Sequence, residues 1–271
     1  MYARTNGARA SKNYADLIAS RTRFFNLAFI VYLVALSAMS APQVHAEQVT
    51  HSMGKNAQWK KIFTKNGITL YSAERKGASL PLLKGQAILE HNLYDIMAVV
   101  EDAKRHPQWV YRMRESKIFR RPDPFHLSAY VQFDFPWPAS DRDSVLKVDV
   151  KRVWTPHHEV LISFKRIKDR GYPPRKGIVR IVESRGYTRL RWISPQRTDV
   201  IYVIDSDPGG NLPKWLVRWL AKNLPYKVIT ALRRRVSSTR GQYQAFKDRW
   251  DPRRSPQEDA PSQFVLPGVQ R

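Results

Sequence analysis

FHLSAYVQFDFPWPASDRDSVLKVDVKRVW, residues 125–154, decides the fold. Phe125, Leu127, Ala129, Val131, Phe133 and Phe135 occupy every second position, and after the Pro-Trp-Pro break so do Ser144, Leu146, Val148 and Val150. Successive side chains of a strand point to opposite faces, so each set shares one side of a sheet. The other side receives Gln132, Asp134, Lys147, Asp149 and Lys151. The segment therefore reads as two strands with one dry face, and a dry face must be covered.

Working outward, period-two runs recur at 117–121, 159–167, 177–183, 187–193 and 199–205, separated by short polar or Pro/Gly breaks. Such breaks are too short for parallel crossovers, so the sheet is expected to be an antiparallel meander. Upstream, Ile62, Phe63, Ile68, Leu70 and Tyr71 surround Lys65-Asn66-Gly67, a hairpin signal, and a further strand runs through 82–89. Asn92 is a fair N-cap for a helix with the apolar stripe Leu93, Ile96, Met97, Val99 and Val100, which Pro107 is expected to close. The cover is a long helix from Pro213 to about Phe246, with Leu216, Leu220, Leu224, Val228, Leu232 and Val236 four residues apart. Pro225 falls inside it and is expected to kink or split it near Asn223. The fold class is α+β.

The ends of the chain read differently. Arg4, Arg9, Lys12, Arg21 and Arg23 precede an apolar run at 24–40 and the small-residue site Val44-His45-Ala46, the pattern of an export signal (1–46) cleaved after Ala46. The alternative is an uncleaved anchor. A polar linker (47–57), one domain (58–248) and a tail without a core (249–271) would follow. Export places the protein in the periplasm or outside the cell, yet there is no Cys, so packing alone must stabilise it. Five basic residues and one acidic residue in 1–46 leave +20 of the formal +24 charge on the remainder. For an exported chain that excess points to anionic membrane surfaces, with no nucleic-acid partner expected.

Four strings stand in the order of a known family: EDAKRHPQW at 101–109, FPWPASDRD at 135–143, IVRI at 178–181 and DSDPGGNLPKWL at 205–216. Over about residues 58–248 the chain resembles the START (StAR-related lipid-transfer) domain, especially its exported bacterial members. The resemblance implies a helix-grip fold, a curved antiparallel sheet around a long C-terminal helix. Between them it implies a tunnel for a sterol, phospholipid or other hydrophobic molecule.

Arg142 should point with Leu146 and Val148 to the dry side, where a lone charge is costly. It either pairs with Asp141 or Asp143 or meets the polar head of a ligand. Arg180, between Ile178 and Val182 and at the place of the arginine in the family's VR pair, is a second candidate ligand contact. Trp109, Tyr130, Phe133, Trp192 and Tyr202 are expected either as tunnel walls or as ordinary core. Trp215, Leu216, Trp219 and Leu220 form a stripe flanked by Lys214, Arg218 and Lys222, suited to a membrane interface or to a core with a basic edge. The glycines of the DPGGN loop, 207–211, serve a moving lid or a tight turn.

No GxSxG, HExxH or P-loop string occurs. His157-His158 diverge in a turn, a poor start for a metal site. The expected function is a monomeric, non-enzymatic lipid carrier without metal or cofactor. The alternatives are an envelope interaction protein with a filled core and a helix-grip enzyme acting on a hydrophobic substrate.

Overall fold

The computed structural model describes residues 53–250, apart from 55, 76–79 and 154–157. The leader, the proposed cleavage site, His157 and the tail beyond Trp250 lie outside the described residues. Ten strands form one sheet: β1 (Lys60–Lys65), β2 (Ile68–Ala73), β3 (Leu82–Leu89), β4 (Met113–Asp123), β5 (His126–Phe133), β6 (Arg142–Val153), β7 (Glu159–Arg166), β8 (Val179–Arg180), β9 (Glu183–Ser194) and β10 (Arg197–Asp207). Their spatial order is β1-β2-β3-β10-β9-β7-β6-β5-β4, with β8 attached to β6. Every pairing is antiparallel except β6 with β8. The expected strand at 177–183 is thus reduced to two residues, because Val182 donates its N–H to Asp207 instead of continuing beside β6.

Local chemistry explains several elements. The β1–β2 hairpin closes through Asn66 and Gly67, both at positive φ, the requirement of a two-residue turn that matches strand twist. Helix α1 (Leu93–Glu101) starts at Asn92, whose side chain accepts the N–H of Tyr94 at 2.8 Å. Pro107 does not close α1, which ends at Glu101; it sits in the first turn of a separate short helix, α2 (His106–Trp109), where its missing N–H costs nothing.

The cover helix is α3 (Lys214–Ser238), followed by α4 (Gln244–Trp250). Of the kink or split expected at Pro225, the split is absent: the helix runs through it and ends at Thr239, ahead of Gly241 at positive φ. Ile229, Leu232 and Val236 pack against Ile68, Ala87, Leu89, Val160, Leu190 and Val200, which share the concave face of the sheet. The helix approaches β3 so closely that a Cβ on Gly85 would lie 2.8 Å from Ile229 Cδ1 and 2.9 Å from Pro225 Cβ. Gly85 is therefore the contact point that lets α3 lie on the sheet.

The convex face is not uniformly wet. Met53, Ala57 and Trp59 pack on Ala73, Leu82 and Val203, so part of the segment read as a polar linker covers the sheet. Farther along, Tyr172 stacks on Tyr130 at 5.5 Å and lies 4.2 Å from Phe119, holding the loop between β7 and β8 over β5.

Candidate ligand-binding site

Strand registers define what faces α3. Leu146, Val148 and Val150 of β6 lie opposite Arg166, Phe164 and Ile162 of β7. Ile162 and Val160 in turn face Thr188 and Leu190 of β9, which face Tyr202 and Val200 of β10. Leu190 and Val200 are fully buried. Leu146, Val148, Val150, Ile162, Phe164 and Tyr202 point the same way yet keep part of their surface accessible. Burial raises the phenol pKa of Tyr202, whose ring packs against the core cluster. These partly accessible apolar side chains leave surface that a hydrophobic molecule could cover, whereas Leu190 and Val200 are closed off by their neighbours.

One end of this concave face is polar. Arg142 is 2% exposed and stacks on the Phe135 ring, 4.7 Å away. Its guanidinium donates to the Ser140 carbonyl and, at 3.1 Å, to that of Gly209. It takes neither Asp141 nor Asp143 as a hydrogen-bonded ion-pair partner, and burial lowers its pKa. Its Nε has no partner, nor does Oγ of Ser144, which is 1% exposed, nor the buried Nε of Arg166.

Several expected site residues lie elsewhere. Arg180 belongs to the convex side: its Nε and Nη2 donate to Asp143 at 2.6 and 3.1 Å, and Nη1 and Nη2 donate to the carbonyls of Tyr172 and Pro173. It ties the β7–β8 loop to the sheet. Tyr130 sits on that same side, because it alternates with Ala129 and Val131; its hydroxyl donates to Asp143 at 3.1 Å and Arg175 lies over its ring. Burial, then the charge of Asp143, raises its pKa. Phe133, Trp192 and Tyr202 do face inward, opposite Arg142, Thr198 and Gly85 respectively. Trp109 packs against the central core and also lines a cleft of about 710 Å³ with Tyr111, Tyr226, Thr230 and Arg234.

The stripe at the start of α3 divides. Leu216 and Leu220 are buried with Leu80 against Phe135, Ala139 and Trp219, whereas Trp215 is 48% exposed. Trp137, in the loop that carries Phe135 and Ala139, is 90% exposed. Two tryptophans thus flank one apolar cluster at the same end as Arg142. Gly209 and Gly210, both at positive φ, form the turn there and leave room for the Arg142 guanidinium, which a Cβ on Gly210 would approach to 3.4 Å.

Sequence reasoning missed Arg166. The signal was present: Val160, Ile162 and Phe164 carry the same two-residue period onto it, the argument that singled out Arg142 on the neighbouring strand.

Residues 40–240 match the START domain family. An uncharacterized protein of Pseudomonas aeruginosa is 26% identical over 176 residues, covering 65% of this chain and 85% of its own length. The phosphatidylcholine transfer protein of Rattus norvegicus is 23% identical over 175 residues, 62% of this chain and 78% of its own. The crystal structure of a StAR-related lipid transfer protein fragment from Xanthomonas axonopodis superposes with a TM-score of 0.60 at 26% identity, covering 66% of this chain and 98% of the fragment. Human StAR-related lipid transfer protein 5 superposes at 0.64 with 19% identity over 72% and 94%, a likeness of fold. The match spans most of the chain: this chain belongs to the START domain family.

Proposed function

We propose that the chain carries one hydrophobic molecule between the concave face of its sheet and α3, and moves it between membranes without covalent chemistry. The observation that carries this reading is the apolar surface left partly accessible on the concave face, at Tyr202, Ile162 and Val150, beside the packed core. Burial drives the binding, since each methylene taken out of water contributes about 0.8 kcal/mol. Docking on an anionic membrane uses the end that exposes Trp137 and Trp215, with Arg218 and Lys222 exposed along the same helix. The basic leader with its apolar run and Val-His-Ala site supports export, with cleavage after Ala46, to be checked by sequencing the N-terminus of the secreted form.

The deciding experiment is native mass spectrometry of the purified protein after exposure to lipid vesicles. A single lipid-sized mass increment, together with transfer of labelled lipid from donor to acceptor vesicles, is expected. A protein that stays free of adduct and transfers nothing refutes the carrier.

A further inference from the structure

The interior is electrostatically one-sided. On β2, β3, β5, β6, β7, β9 and β10 every Asp and Glu occupies an outward position: Asp143 and Asp149 on β6, Glu159 on β7, Glu183 on β9, and Asp199, Asp205 and Asp207 on β10. Helix α3 contains no acidic residue at all. The inward positions of β6 and β7, by contrast, include Arg142, Arg152 and Arg166. Arg152 lies at the far end, over the Phe125 ring at 4.8 Å. Arg142 and Arg166 lie at the end next to the Gly209–Gly210 turn, with Ser144 between them in the register of β6.

An interior charge without a counter-charge is expensive, and so is a buried donor without an acceptor. Three such donors lie on this face: Nε of Arg142, Oγ of Ser144 and Nε of Arg166. Arg166 has no hydrogen bond or ion pair with any described residue, in contrast to Arg180, Arg185 and Arg189 on the convex side, each of which meets a carboxylate. The two sides of the sheet therefore treat arginine differently, and an anion is the simplest group that would balance the inner one. Guanidinium forks bind carboxylate and phosphate oxygens with two parallel bonds, and a neighbouring hydroxyl adds a third donor.

We propose that Arg166, with Ser144 and Arg142, forms the head-group subsite for an anionic amphiphile, one whose polar end is a carboxylate or a phosphate, with its apolar tail along Val148, Val150 and Ile162. This deepens the carrier reading and rests on it. The inner face offers no carboxylate among the described residues to receive a quaternary ammonium, so a zwitterionic head would leave its cation without an ionic partner.

The test offers the full chain mixed vesicles containing dioleoylphosphatidic acid, oleate, dioleoylphosphatidylcholine and dioleoylglycerol in equal amounts, and native mass spectrometry counts what is bound. Acidic lipid should exceed dioleoylglycerol by about 10- to 100-fold, the effect of one or two charge-assisted hydrogen bonds. The ratio of phosphatidic acid to oleate identifies phosphate or carboxylate as the head. Arg166→Met should remove the enrichment, so that acidic lipid and dioleoylglycerol load in like amounts, and Ser144→Ala should reduce it by a smaller factor. Arg166→Lys, which keeps the charge and loses the fork, should fall between. Equal loading of neutral and acidic lipid by the wild type, preference for phosphatidylcholine, or enrichment that survives in Arg166→Met overturns the subsite and leaves the carrier standing. Failure to load any of the four lipids overturns both.

Discussion

Strand β6 shows two ways of keeping charge inside a protein. Outward, Asp143 is fully buried and fully answered, receiving two bonds from Arg180 and one from Tyr130. Inward, its sequence neighbours Arg142 and Ser144 are nearly as buried and each keeps a polar atom without a partner. Adjacent residues of one strand share backbone, depth and strand partners, so the difference lies in what each face is for. A network that closes on itself holds a loop in place. A set of donors that does not close awaits something from outside the chain.

The largest effect should come from opening the closed side. Asp143→Ala leaves Arg180 buried beneath the β7–β8 loop without its counter-charge, and loss of one partner from a buried pair costs about 3–5 kcal/mol. Urea denaturation should show that loss, with the loop from 167 to 178 becoming sensitive to protease. Arg166→Met on the other side should cost less than about 1 kcal/mol or stabilise the empty protein, since it removes an unsatisfied donor. If both substitutions destabilise alike, the inner arginines are structural and the comparison fails.

Next in size is the seam where α3 touches the sheet. Gly85→Ala brings a methyl group against Pro225 and Ile229, and overpacking of this kind costs about 1–3 kcal/mol. Because Gly85 sits opposite Tyr202, the helix should yield at the deep wall of the interior. Ligand loading should therefore fall together with stability, whereas in Asp143→Ala the loss of stability should precede any loss of loading. Both are read from denaturation and native mass spectra of the same samples.

How far the sequence reveals this can be followed residue by residue. Alternation in 125–150 and the apolar spacing of the last helix were enough for the sheet, its dry face and its cover, because burial imposes a period that the sequence must obey. Tyr130 and Arg180 were misplaced for one reason: the convex face carries its own cover, the β7–β8 loop, and a loop has no period to read. Tyr130 could have been placed by strict parity with Ala129 and Val131. Arg180 could not, since its two-residue strand pairs parallel to β6 against the antiparallel expectation. Pro225 reads as a kink or a split because propensity speaks only of the isolated helix; the split is absent in α3, where Pro225 packs against Gly85. Accessibility is invisible to alternation, which gives the direction of Val150 and Val200 alike and says nothing of which one is closed off by its neighbours.

A smaller effect distinguishes the packed core from the accessible one by pH. His106 lies half-buried at the start of α2, its Nε2 bonded to the Val100 carbonyl at 2.8 Å and its ring edge-on to Trp109. Loss of solvent holds its pKa below the ordinary value, although that hydrogen bond and Asp102 work in the opposite direction. The unfolded chain takes up a proton near pH 6.5, about the ordinary value, and the folded chain only at lower pH. Stability should then fall as the pH drops below that value and level off once it passes the folded pKa. His91, also lowered chiefly by burial, contributes with the same sign. Thermal melts between about pH 7 and pH 5 should show the decline, and His106→Gln should flatten part of it. Ligand-free and ligand-loaded protein should share this slope, because both histidines lie away from the polar end of the interior.

The smallest effect on stability belongs to the most exposed side chain. Trp137 touches little of the folded chain, so Trp137→Ser should change stability by less than about 0.5 kcal/mol. On an anionic vesicle its indole would enter the interface, where tryptophan is favoured, next to Trp215 and the basic flank of α3. Sedimentation with vesicles should accordingly show weaker binding for Trp137→Ser, and weaker still when Trp215 is also replaced. Ligand already held should be retained by both variants. Raising the salt concentration should weaken docking of the wild type through the exposed cations while leaving retained ligand in place, since a screened surface charge and a buried acyl chain respond to different terms. Retention that falls with docking, in variant or in salt, would mean that the rim and the interior are one site, and that the exposed tryptophans close over the ligand as well as facing the membrane.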